Sequence, residues 1–153
     1  MAENLRLARL YLVILAIVAG TRWGMSLFGV PYERGTDKVS IVIVTLFSSL
    51  FYAAFCRRWR DYRILAAVGL AMTFGVISQL VVLLSTVVSY LFGLHTYFNH
   101  PTALNQLAEV PFGVALGIRA GGLVANTLTS GIAGALGWAM GGLLPPPKEP
   151  TAG

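Results

Sequence analysis

The stretch Ile64–Leu94, ILAAVGLAMTFGVISQLVVLLSTVVSYLFGL, decides the architecture of this chain, because its 31 residues carry no charge. As an α-helix it extends roughly 46 Å, beyond the ~30 Å of a bilayer's hydrocarbon core. Tilt or projecting ends accommodate the excess in one crossing. Two crossings would leave about 15 residues each, short of the ~20 a spanning helix needs. The only amide side chain in the stretch, Gln79, falls at its middle.

Composition agrees with a membrane setting. Of the 153 residues, 56% are hydrophobic and 11% charged, and mean hydropathy is +0.74. Such a chain cannot cover its apolar side chains with polar surface in water. Disorder is excluded for the same reason.

Three further apolar stretches lie outward of this one. The first, about Leu7–Val30, follows Arg6 and Arg9 and is interrupted by Arg22. A rival reading takes the two arginines as the n-region of a signal peptide and Leu10–Val18 as its h-region, cut after Ala19. The return of apolar residues at Trp23–Val30 favours a span. Pro31–Lys38 is a loop, broken by Pro31 and Gly35 and carrying four charges that cancel. Val39–Cys56 is the second span. Its β-branched start would favour a strand in water, but in lipid only a helix satisfies its own backbone. Phe112–Leu144 is the last span, stopped by Pro145, Pro146 and Pro147. Between the third and fourth spans lies a polar loop, His95–Pro111, without Lys or Arg; its Tyr97 and Phe98 suit the headgroup level.

The expected fold is therefore all-α, an integral membrane four-helix transmembrane bundle. One transmembrane domain covers residues 1–144, with spans at about 7–30, 39–56, 64–94 and 112–144 and a mobile tail at 145–153. The net charge of +5 is placed accordingly, since Arg57, Arg58, Arg60 and Arg63 crowd one short loop. The N-terminus, that loop and the tail together carry seven Lys/Arg, against Arg34 and Lys38 on the opposite side. By the positive-inside rule both termini are cytoplasmic. This distribution speaks for topology and against nucleic acid.

The last span holds nine of the seventeen glycines. Gly113, Gly117 and Gly121 lie within about 80° of one another on the helical wheel, whereas Gly134, Gly137 and Gly141 fall near 240–300°. Small residues let helices approach closely in lipid, so the two sets are expected to pack helices on different sides. Arg119, Asn126 and Ser130 form a polar stripe in the same span, near 220–260°. A charge at that depth costs about 2.5–3.5 kcal/mol on insertion scales and marks a functional candidate. Gln79 is expected to hydrogen-bond Asn126. Arg22 and Arg119 have no carboxylate within the spans, and are expected either to bind an anion or to snorkel towards Glu109, Glu33 or Asp37.

No nucleophile–base pair, phosphate-cradling loop or dinucleotide fingerprint is present. His95 and His100 lack a third ligand at metal-site spacing. Neither an enzyme, nor a metal, nor another cofactor is expected. The reading that follows is a scaffold or accessory subunit, partnered by lipid and by another membrane protein or its own copy in a homo-oligomer. The alternative is a small permease or channel in which Arg119, Asn126 and Gln79 line a path for an anionic or polar solute.

Overall fold

The computed structural model describes residues 7–32, 40–143 and 145. Four long α-helices account for most of them: α1 (Arg9–Leu27), α2 (Ile41–Arg60), α3 (Ile64–Leu91) and α4 (Phe112–Gly141). A short 3₁₀ turn at Pro101–Leu104 interrupts the α3–α4 connection. α1, α2 and α3 are long and apolar enough to cross a membrane. α4 is the longest at 30 residues, and its apolar character is diluted by glycine, Arg119 and Asn126.

The ends differ from those expected in one informative place. Residues 57–60 continue α2 as helix instead of forming a loop. Ser40 opens that helix, its Oγ accepting from the N–H of Ile43 at 3.4 Å. Asp61 closes it in the left-handed region (φ 53°), and the N–H of Tyr62 then returns to the carbonyl of Cys56 at 3.1 Å. Arg57, Arg58 and Arg60 occupy the last turn, where the carbonyl end of the helix dipole favours cations. The expected loop 31–38 and tail 145–153 lie outside the described residues, except Pro31, Tyr32 and Pro145.

Contacts fix how the helices run. Trp23, near the end of α1, donates to Ser85 near the end of α3. Arg119, near the start of α4, reaches Thr86. At the opposite end, Arg57 of α2 reaches Trp138 of α4. Successive helices thus alternate in direction. The last turns of α2 and α4 lie together.

α3 and α4 make the most extensive contact, followed by α2 and α4; α1 is the least embedded. Glycine explains the α2–α4 seam. A Cβ on Gly137 would collide with the Leu50 backbone, and one on Gly141 with that of Ala54. Gly134 packs equally tightly against Ala71, and Gly75 against Thr127 and Ser130. α1 is tied in by Tyr11, fully buried, whose ring stacks on Phe74 at 4.3 Å. Its hydroxyl donates to the Phe74 carbonyl and pairs with Thr45 Oγ1, both at 3.1 Å.

The interior is rich in Ser, Thr, Ala and Gly, while Ile17, Phe47, Leu84, Val124 and Leu136 are exposed. In water such an exterior would be an aggregation surface. In lipid it costs nothing, and small residues inside let backbones approach.

Candidate functional site

The first turn of α2, the amino half of α4, α1, α3 and the loops beside them line a cavity of about 470 Å³. Arg22 of α1, Gln79 and Val82 of α3, and Arg119, Gly122 and Asn126 of α4 line it. The first turn of α2 contributes Ser40, Ile41 and Val42, and the loops contribute Tyr32, Tyr97, Phe98 and Asn105. No Asp or Glu lines it among the described residues.

Arg119 holds the roof of this cavity. Its Nη2 donates to the Phe98 carbonyl at 2.6 Å and its Nε to Thr86 Oγ1 at 3.1 Å. The Thr86 hydroxyl in turn lies within hydrogen-bond distance of the carbonyls of Val82 (2.9 Å) and Phe98 (3.1 Å). Each of these printed hydrogen bonds runs to a neutral oxygen. The snorkelling expectation fails for Glu109, which instead stands 4.0 Å from His95 on the exposed surface. Glu33 and Asp37 lie outside the described residues.

Arg22 approaches the same roof from α1. Its guanidinium lies 5.6 Å from the Tyr97 ring centre and 5.8 Å from that of Phe98, within the range of cation–π attraction. The two arginines are close enough to repel each other. Phe98 is thus gripped by one cation on its carbonyl and another on its ring.

The roof itself is a folded cap, contrary to the expectation of a polar loop with aromatics in the headgroups. Tyr97 is 4% exposed and Phe98 2%. Asn99 shapes the turn, its Oδ1 accepting from the Thr96 N–H and its Nδ2 donating to the Leu94 carbonyl, both at 2.8 Å. Ser89 pairs with Thr96 at 2.6 Å. The Tyr97 N–H donates to Ser26 Oγ at 2.9 Å, and its hydroxyl to the carbonyl of Val30 at 2.8 Å. Tyr97 and Tyr32 separate this chamber from an outer cleft of about 640 Å³, and both line each space. His100, in the cleft, stacks on Tyr32 at 4.5 Å.

The floor differs from expectation as well. Gln79 and Asn126 both line the cavity, but they do not bond each other: Asn126 Nδ2 donates to the Gly122 carbonyl of its own helix at 2.9 Å. Gln79 is only 5% exposed. Ser130 leaves the group, buried in the α3–α4 seam against Gly75. Of the glycines, Gly134, Gly137 and Gly141 face neighbouring helices, whereas Gly113, Gly117 and Gly121 have nothing within 4 Å of a Cβ position.

Thr86, Phe98, Tyr97 and Tyr32 were not among the expected site residues. A signal for the first existed. Ser78, Gln79, Ser85, Thr86 and Ser89 recur at helical spacing and are all buried, so α3 carries a polar stripe of its own rather than one isolated amide. No protein-family model, curated protein or solved structure matches the chain.

Proposed function

We propose that this chain is a non-enzymatic multi-pass membrane protein whose four helices cross as a bundle, both termini on the positive cytoplasmic side, and that it binds an anionic or polar solute between them as a small permease or channel. One observation carries this reading. Arg22 and Arg119 converge on a single cavity with Gln79 and Asn126, and no carboxylate lines it among the described residues. Among the described residues Arg119 is held by neutral oxygens alone, and a partly desolvated cation gains from an anion beside it. The polar amides below supply orientation without charge, as ligand sites do.

Anion flux into liposomes tests the reading. Wild-type protein should move a small anion, and Arg119→Gln should reduce the flux by about tenfold or more, as expected for a lost charge-assisted contact. Absence of flux and of saturable anion binding in the wild type would refute it.

A second reading, scaffold or accessory subunit, is favoured by the outer glycines. Gly113, Gly117 and Gly121 leave a groove on α4 that no described residue fills, and a helix of a partner membrane protein or of a second copy fits such a surface. Gly117→Leu should then release the partner or shift the oligomer in native mass spectrometry. Unchanged assembly would count against it.

A further inference from the structure

We infer that Arg60 and Arg63, with the aromatic ladder Phe51, Phe55 and Trp59 beside them, bind an anionic phospholipid at the membrane surface. The phosphate meets the two guanidiniums and an acyl chain lies along the rings. The inference rests on the membrane-crossing reading above and not on the anion cavity, which is lined by the opposite end of α2.

In the sequence Arg57, Arg58, Arg60 and Arg63 form one basic run. The structure divides it. Arg57 Nη1 donates to the Trp138 carbonyl at 2.8 Å, and its guanidinium lies 3.8 Å from the Trp138 ring centre. Arg58 Nε donates to the Pro145 carbonyl at 2.8 Å. These two arginines tie α4 and the chain just beyond it to α2. Arg60, the last residue of α2, and Arg63, which precedes α3, stand on either side of the Asp61–Tyr62 turn, and both are exposed. Among the described residues neither has a hydrogen bond or an ion pair, and the one salt bridge is that of His95 with Glu109. Asp61 between them offsets one charge at most.

An exposed cation needs no partner in water. Position makes a site of this pair. Phe51, Phe55 and Trp59 recur every four residues and so share one flank of α2. Their ring centres are 6.4 Å apart for Phe51 and Phe55 and 5.1 Å for Phe55 and Trp59. The row extends about 12 Å along the helix, with Phe51 60% and Trp59 48% exposed. Phenyl rings on an outer flank belong in hydrocarbon, and an indole ending the row belongs at headgroup level. Arg60 follows Trp59 directly, and exposed Ile64 and Leu65 follow Arg63 directly. Both guanidiniums thus stand where the apolar flank ends, within reach of lipid phosphates.

The occupant must carry negative charge and hydrocarbon in one molecule. A soluble acidic partner would satisfy the arginines and leave the rings uncovered. Phosphatidylcholine would cover the rings but bring its own cation to the arginines. An anionic phospholipid satisfies both, and its phosphate suits the planar guanidinium fork.

The test uses full-length protein purified in detergent, titrated with phosphatidylglycerol or phosphatidylcholine and read by native mass spectrometry. Wild type should retain phosphatidylglycerol about thirtyfold more tightly, about fivefold for each arginine. The double variant Arg60→Gln, Arg63→Gln should erase that preference with Tm unchanged, since neither side chain holds another part of the fold. Trp59→Ala should weaken retention of both lipids by about threefold. Inorganic phosphate at equal concentration should displace neither. Equal retention of the two lipids, displacement by phosphate, or no effect of the double variant or of Trp59→Ala overturns the site. Loss of the preference in Arg119→Gln, with the double variant unaffected, would assign the lipid to the cavity and also overturn it. Wild type that moves no anion, yet keeps a lipid preference dependent on Arg60 and Arg63, refutes the permease reading and supports this one.

Discussion

The two ends of the α2–α4 pair use the same device to opposite effect. At one end Arg57 Nη1 donates to the Trp138 carbonyl at 2.8 Å and to that of Ala139 at 3.3 Å, with its guanidinium 3.8 Å from the Trp138 ring centre. At the other, Arg119 donates to the Phe98 carbonyl at 2.6 Å. Arg57 holds main-chain oxygens in the last turn of α4, and Arg119 holds one in the loop before it. Around Arg57, however, the glycines of α4 bring the helices into backbone contact, and the indole N–H of Trp138 adds a bond to the Tyr62 carbonyl at 2.8 Å. Around Arg119 the side chain borders a cavity instead. An arginine lies on closely packed helices at one position and borders open space at the other.

The comparison breaks most sharply at the tight end. Gly137→Leu places a branched side chain where the Leu50 backbone already stands, and should cost about 3 kcal/mol, at the upper range for overpacking. Loss of the monodisperse folded species, or a steep fall in Tm, is the expected readout. An unchanged Tm would mean that the seam is not a close-packed one.

Arg119→Gln is expected to cost about 1.5–3 kcal/mol, the worth of a hydrogen bond to a charged group. Here the damage should be local. Hydrogen exchange should accelerate in residues 92–111, with α2 and the carboxyl half of α4 protected as before. Uniform acceleration would show that the cap is part of one cooperative unit.

Arg57→Ala removes the corresponding bonds at the closed end, and about 1–2 kcal/mol should follow from the lost hydrogen bonds and ring contact. Lysine at this position should recover only part of it, because a single ammonium lacks the planar fork that spans two carbonyls and stacks on indole. Full rescue by Arg57→Lys would indicate that charge alone matters there.

The smallest effect is expected at Gly117, whose Cβ position is open. Gly117→Leu should shift stability of the isolated chain by no more than about 0.5 kcal/mol. A large loss would place that glycine in an interface of the folded protein, and would draw α4's amino half into the same class as its carboxyl half.

How much of this was legible in the sequence varies by residue. The wheel separated Gly113, Gly117 and Gly121 from Gly134, Gly137 and Gly141, because side-chain direction along a helix is fixed by its 3.6-residue period. The same arithmetic put Arg119 and Asn126 on one face. It gave no means of pairing Asn126 with a residue of another helix, since axial rotation and stagger are set by packing. The expected bond to Gln79 is accordingly replaced by one to Gly122. Tyr97 and Phe98 were misjudged because aromatics in a polar loop fit two environments, the interface and a folded cap. Ser26, Ser89 and Thr96, distant in the chain, decide between them.

What the residues determined by themselves is the solvent and the secondary structure. An uncharged stretch like Ile64–Leu94 is apolar enough for lipid, and in lipid the backbone must bond to itself, so a helix is the outcome whatever its neighbours do. Where the helices touch and where they part was decided only in three dimensions. That depends on which glycine meets which backbone, on Arg119 finding a carbonyl from a loop twenty-one residues away, and on α2 starting beside Arg22. Local propensity carries no information about such distant meetings, because each is a property of two surfaces at once.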